Sequence, residues 1–382
     1  MAVFLTGATG YIGSYLANNL LREYPNERLQ LLVRAKNDAE ARERIWKSLQ
    51  MHMDFQTFTD FVNTRVDFFL GDLTTPNLGL DPAARDRLAK GMDSVIHCAA
   101  SLNRKSSKAC FNVNLRGTLE IIKVARAAQD HHGLRRFSDI STVAVCGERR
   151  NEVVTEENII DWDKSDYDPY ARTKKFCEHM VHELLPDVDI RIFRPSIVLG
   201  DSRFPETTQF DMVRAFVFLA QLPVLPFRPD WRVDIVPADY VGRAVTHVHM
   251  MDKPKYDSYN LSAGEGSLTY KQVVDALSRN LGRKPVFIPQ LEKTFAKTVD
   301  ALADTPRNWG VAGAASLMKV FMPYLVFDTV FSNRHIVEEL GEPPVPFDQY
   351  AYPLLEFAAK GKFTYPYKPF PKDAPSPMKS AA

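Results

Sequence analysis

The sequence predicts an α/β fold: a doubly wound parallel sheet with a smaller, mostly helical lobe. Three observations predict it. A glycine loop, Thr6-Gly7-Ala8-Thr9-Gly10-Tyr11-Ile12-Gly13, joins a short apolar run, Val3-Phe4-Leu5, to an amphipathic run, Tyr15 to Leu21. Short apolar runs then alternate with helical runs as far as Gly200. Past that point the alternation fails, and from Leu268 the chain is mostly helical. Strands that alternate with helices pair in parallel and carry helices on both faces.

In chain order, strands are expected at Val3–Leu5, Leu29–Val33, Val66–Leu70, Ser94–His97, Arg136–Ile140 and Ile190–Phe193. Several are continuous apolar runs, the pattern of strands covered on both faces. Helices fall between them, including Leu115–Ala128 and Ala171–Leu185. The stretch Asp201–Arg232 holds one apolar helix candidate, Met212–Leu222, and then a proline-rich turn. Val233–Val236 reads as one more short strand and Tyr240–Met250 as a helix. A chain of 382 residues has room for about two lobes. The expected division places residues 1–200 and about 233–265 in a Rossmann-type nucleotide-binding domain. Residues 201–232 and about 266–365 form the substrate lobe, and 366–382 an irregular tail rich in proline and lysine.

Bulk properties exclude some functions. Charged residues make up 25% of the chain and the formal net charge is +1, which argues against a nucleic-acid binder. The four cysteines, Cys98, Cys110, Cys146 and Cys177, form no CxxC pair and no zinc spacing, so no metal is expected and a reduced, cytoplasmic compartment is. The first strand begins at residue 2, which leaves no room for a signal peptide. No apolar stretch is long enough to span a membrane. The nearest, Val311–Phe331, is broken by Lys319, Pro323 and Asp328 and reads as a buried helix pair.

A strand, a glycine turn and a helix in that order suit a dinucleotide phosphate. Gly7 allows the tight turn, Gly10 lets the backbone approach the pyrophosphate, and Gly13 lets the helix pack close. The loop residues Thr6, Thr9, Tyr11 and Ile12 are counted with them. Free N–H groups at the helix start then meet the anion, helped by the helix dipole. The second strand ends Leu32-Val33-Arg34-Ala35-Lys36. An acidic residue there would accept from the ribose 2′-OH. Arg34 and Lys36 instead suit a 2′-phosphate, so NADP(H) is expected. Asp72 after the third strand could accept from the adenine amino group, with Leu73 against the ring, or could cap the next turn. Ala99 and Ala100 close the fourth strand and leave room for a ligand, while His97 reads as a packed histidine.

Tyr170-Ala-Arg-Thr-Lys174 opens a helix, and its i, i+4 spacing puts phenol and ammonium on one face. A nearby ammonium stabilises phenolate and makes the tyrosine a usable acid near neutral pH. Asp139-Ile140-Ser141-Thr142-Val143 ends the fifth strand with hydroxyls at the same carboxyl edge as the glycine loop. Asn114 is placed where the next helix begins, as a site candidate or a simple N-cap.

Taken together, T-G-x-x-G-x-x-G, a Ser/Thr at the fifth strand, Y-x-x-x-K, and R-P-S-x-x-x-G at Arg194–Gly200 resemble an extended short-chain dehydrogenase/reductase. Val236-Pro237-Ala238-Asp239-Tyr240-Val241 fits that superfamily's late strand-to-helix turn, so the likeness covers roughly residues 2–265. The resemblance implies that Thr142 and Tyr170 bind a carbonyl oxygen, that Tyr170 protonates it, and that Lys174 holds the nicotinamide ribose and tunes Tyr170. Pro195, Ser196 and Ile197 join the cofactor site. Counting back from Gly147 favours Thr142 as the catalytic hydroxyl, with Ser141 the fallback.

Within the superfamily, Gly71-Asp-Leu-Thr-Thr-Pro-Asn-Leu-Gly-Leu80, Val95-Ile-His-Cys-Ala-Ala100 and the insert Asn37–Thr64 are similar to the thioester-reductase and fatty acyl-CoA reductase branch. That implies NADPH-dependent reduction of an acyl thioester through a hemithioacetal to an aldehyde and, with a second hydride, an alcohol. Without an adenylation or carrier domain here, the thioester is expected on CoA or a separate acyl-carrier protein. An acyl groove is expected among Phe216, Phe218, Leu219, Leu222, Met318, Phe321, Met322, Tyr324, Leu325 and Phe327, most of which also read as lobe core. The alternatives are a nucleotide-sugar epimerase/dehydratase, a hydroxysteroid-type dehydrogenase, and a non-catalytic NADP-sensing protein.

Overall fold

Seven strands form one sheet in the computed structural model, which describes residues 1–282, 284–303, 315–316, 318–319, 322, 326 and 328–371. They are β1 (Ala2–Thr6), β2 (Arg28–Val33), β3 (Val66–Leu70), β4 (Ser94–His97), β5 (Arg136–Ile140), β6 (Ile190–Pro195) and β7 (Ser258–Leu261). Every neighbouring pair is parallel, and the spatial order is β3-β2-β1-β4-β5-β6-β7. The chain reverses direction of winding between β1 and β4. Ligands of open α/β sheets bind outside the carboxyl ends of the strands at such a point.

Both faces of the sheet are covered. Val3 and Leu5 join a core with α1 (Tyr11–Glu23), while Phe4 between them joins a separate core on the other face. The insert after β2 folds as two helices, α2 (Asp38–Leu49) and α3 (Phe55–Arg65). Asn37 and Asp54 cap them, accepting from the N–H groups of Glu40 and Thr57. Trp46 and Phe58 pack these helices into the first core. The other face carries α4 (Pro82–Gly91), α5 (Gly117–His132) and α6 (Pro169–Leu184).

Two sequence expectations need correction. Val233–Val236 is not one strand. Arg232–Val233 pairs antiparallel with Leu268–Thr269, and Ile235–Val236 pairs parallel with Ile197–Val198. Asp234 separates the halves because its buried carboxylate turns to accept the N–H of Ala263 at 2.8 Å. The helix after β4 does not begin at Asn114. It is entered at Ser107, with Ser106 as its cap accepting from Ala109 N–H, and passes through a π-helical stretch, Phe111–Arg116, before α5. Asn114 lies inside that stretch and is no N-cap.

The rest of the chain builds a second core. It brings α7 (Asp211–Gln221) and α9 (Tyr270–Leu281) together with Phe347, Leu354 and Leu355 near the chain's end. Phe227 stacks on Tyr270 with ring centroids 4.9 Å apart. Between α7 and α9, helix α8 (Ala238–Met250) returns to the sheet and packs on α1. Residues 365–371 carry no helix or strand. They are nonetheless held, since Phe370 meets Phe55 edge-on and Lys368 N–H donates to Gln50. Most of the Val311–Phe331 stretch and residues 372–382 lie outside the described residues. No helix among the described residues is long and apolar enough to cross a membrane.

Candidate active site

At the carboxyl edge of the sheet lies a cavity of about 480 Å³. The loop between β1 and α1 forms one end of it. Gly7 has φ of +81°, and a Cβ there would sit 2.7 Å from the backbone nitrogen of Ala99. A Cβ at Gly13 would lie 2.0 Å from the carbonyl oxygen of Gly7. The loop can lie this close to β4 and to its own helix only without side chains. Helix α1 starts at Gly10 with no side chain capping its first N–H groups, which leaves them for an anion. This cradle fits a dinucleotide pyrophosphate.

All eight residues from Thr6 to Gly13 except Ala8 line the cavity, as do Arg34, Asp72, Leu73, Ala99 and Ala100. Arg34 is mostly exposed and reaches to 3.7 Å from Asp72. Asp72 also accepts from the N–H and hydroxyl of Thr74, both at 2.8 Å, so it caps its own turn as well as facing the cavity. Lys36 does not line the cavity, and its backbone N–H donates to Glu40. A cation the sequence reading missed does: Arg44 of α2 lines the wall and donates to the carbonyl oxygen of Arg34 at 2.6 Å. His97 is buried between the hydroxyls of Thr6 and Thr118, at 2.8 and 3.0 Å. Burial, with the Lys174 charge, pushes its pKa down to about 3, so it stays neutral.

The two hydroxyls after β5 point differently. Ser141 lines the wall, but its hydroxyl donates to Glu178, which is held by the Arg194 guanidinium at 2.8–3.2 Å. Thr142 accepts the N–H of Ala144 at 3.3 Å, capping a short turn, and lines the cavity near Tyr170. Pro195, Ser196 and Ile197 form the adjoining wall.

Tyr170 sits in the first turn of α6, which starts at Pro169 and is capped by Asp168 accepting from Ala171 N–H at 2.8 Å. Its ring is buried and lines the cavity. Burial raises its phenol above the ordinary value, against the pull of Arg104 first and Lys174 second. Lys174, one turn on, does not line the cavity. It is 1% exposed, with Nζ at 3.2 and 3.3 Å from the carboxylate of Asp139 on β5. Burial alone would discharge Lys174, but Asp139, with Cys177 and Tyr170 beside it, outweighs burial and holds the ammonium charged. Asn114 accepts from Ser101 N–H at 2.7 Å and donates to Thr173 at 3.1 Å, so it braces the loop after β4 against α6 outside the cavity.

Among the described residues, the part of the chain beyond Gly200 gives the cavity wall both polar and apolar side chains. Arg232, Asp234, Gln209 and Asp328 line it, beside Met212 and Phe331. Phe216, Leu219 and Met318 are buried in the lobe core, and Leu222 and Met322 pack against it. None of these five lines the cavity, because the lobe closes over its own apolar residues. The side chain of Phe218, and Phe321, Tyr324, Leu325 and Phe327, lie outside the described residues. The sequence reading also missed Arg104, Asp139 and Asp234, which only the fold brings to the site.

Comparison with known proteins gives the same setting. Residues 5–245 match the family described as male sterility protein. Glycine betaine reductase ATRR of Emericella nidulans is 27% identical over 254 residues, which is 64% of this chain and 20% of that protein. Isonitrile lipopeptide synthase of Mycobacterium tuberculosis is 29% identical over 263 residues, 64% of this chain and 10% of that protein. The chain therefore spans only a minor part of these relatives. In fold it is similar to the terminal R domain from the myxalamid PKS-NRPS biosynthetic pathway. The TM-score is 0.80 and the identity 23%, covering 95% of this chain and 91% of that one. On the family match, this chain belongs to the male sterility protein family, and its glycine cradle is that of a site for a nicotinamide dinucleotide.

Proposed function

We propose that the protein uses NADPH to reduce an acyl thioester to an aldehyde, with Tyr170 as proton donor. One observation carries the reading: Thr142 and Tyr170 line the same cavity as the glycine cradle. The nucleotide, when bound, supplies the hydride. The chain's residues do the rest. Thr142 and Tyr170 hold the carbonyl oxygen where negative charge develops. Tyr170 gives its proton to that oxygen, and the hemithioacetal then expels thiol to leave the aldehyde. Repeating hydride and proton delivery on the aldehyde gives an alcohol. Lys174, charged and buried behind Tyr170, favours the tyrosinate left by proton transfer.

Arg34 and Arg44 at the opposite end support NADPH over NADH, since two guanidinium groups suit a 2′-phosphate. The thioester arrives on CoA or on a carrier protein, and the likeness to a lipopeptide synthase supports the carrier route. The four cysteines are unpaired, which supports a reducing, cytoplasmic setting. The test is NADPH oxidation with acyl-CoA and acyl-carrier-protein thioesters of several chain lengths, with products identified by mass spectrometry. Aldehyde or alcohol formed together with free thiol supports the reading. No NADPH oxidation with any thioester or aldehyde overturns it.

A further inference from the structure

The loop after β4 carries a cation onto the proposed acid. The Arg104 guanidinium lies over the Tyr170 ring, 4.5 Å from its centroid. It donates to Asp168 at 2.9 Å, the residue that caps α6 immediately before Tyr170. Both charged side chains are largely buried, and Arg104 lines the cavity. We propose that Arg104 is the residue that positions Tyr170 and sets its acidity, with Asp168 as its opposing counter-charge. The inference rests on the reading of Tyr170 as proton donor.

The geometry assigns each part. Lying over the ring, the guanidinium restrains the phenol against rotation and favours negative charge on it. Among the described residues, the charged and polar groups that act on Tyr170 come from three elements: Arg104 from the loop after β4, Thr142 from the end of β5, and Asp168 and Lys174 from α6. Among them Arg104 exerts the largest pull toward tyrosinate, ahead of Lys174, and Asp168 acts against it. Lys174 is tied to Asp139, so its charge is offset close by.

The experiment compares pH profiles of kcat for thioester reduction in wild type, Arg104→Met, Arg104→Lys, Asp168→Asn and Tyr170→Phe. Reduction needs protonated Tyr170, so the rate falls as pH rises through its pKa. Arg104→Met should move that falling limb up by about one pH unit and lower kcat at neutral pH by roughly tenfold. Arg104→Lys should leave the limb near the wild-type position. Asp168→Asn keeps the cap but removes the anion, so its limb should move down. NADPH affinity should change less than about twofold in all three, since none approaches the phosphate end. Superimposable limbs in Arg104→Met and Asp168→Asn, whatever happens to melting temperature, overturn the inference. If Tyr170→Phe is inactive in that case, the proposed function still stands. If Tyr170→Phe turns over normally, the proposed function falls, and this inference with it.

Discussion

Strand β5 carries a buried charge at each end, and the two ends are built differently. At the amino end, Arg136 is 1% exposed. It donates to Asp189 and to the carbonyl oxygens of Val248, His249 and Met251 at 2.6–3.0 Å. Those carbonyls are the free end of α8, where a helix dipole favours a cation. At the carboxyl end, Asp139 faces Lys174, with Tyr170 and the cavity beyond. The first arrangement ties a helix to a strand through many neutral acceptors. The second holds a charge in reserve beside Tyr170, the proposed acid. On the proposed function, one strand separates holding the fold from doing chemistry, and substitutions at its two ends should separate them too.

Arg136→Met should have the largest effect, and on stability alone. It leaves the carbonyl groups of Val248 and Met251 without this donor, while Asp189 keeps Arg191, and should cost about 3 kcal/mol in denaturant unfolding. Turnover per folded molecule should not change. A fall in kcat at unchanged stability would erase the distinction between the ends of β5. Next comes Arg34→Ala, which acts at the cavity and not on the fold. The KM for NADPH should rise about tenfold and that for NADH should hardly move. Equal changes for both nucleotides would remove the 2′-phosphate contact from the account.

The smallest effect belongs to Asp234→Asn, at the cavity's far end. Burial pushes the Asp234 carboxyl up to about 6, above its unfolded value. Folding therefore favours its protonated form, a contribution present below about pH 4 and lost as pH rises through 6. An uncharged Asn should raise stability on the order of 1 kcal/mol at pH 7.5 and have little effect at pH 4. A gain equal at both pH values would show that the buried charge is not its source.

How much of this was legible in the sequence follows from what each element asks of its residues. Strands β1 to β6 could be read because they are short runs rich in apolar residues, and the glycine loop because its spacing is demanded by backbone contacts at Gly7 and Gly13. Strand β7 was not: Ser258 and Asn260 alternate with Tyr259 and Leu261, and Asn260 is buried only by donating to a carbonyl at Ser332. Tyr170 and Lys174 were legible from their spacing, but Asp139 was read as part of a strand. Its partner is 35 residues away and met only in three dimensions. Arg104 sits in Asn-Arg-Lys-Ser-Ser-Lys, where nothing distinguishes it from the solvated charges beside it. Of the apolar lobe residues, Phe216, Leu219 and Met318 are core, as most of them also read in the sequence, since composition alone does not separate a core from a groove.

On the proposed function, Tyr170, beside the nucleotide cradle, is the acid for carbonyl reduction. The most direct test is Tyr170→Phe, measured as kcat with a competent thioester and as NADPH affinity by fluorescence. A loss of kcat of at least about a hundredfold is expected, with NADPH binding unchanged. A variant that binds NADPH and turns over at the wild-type rate would contradict it.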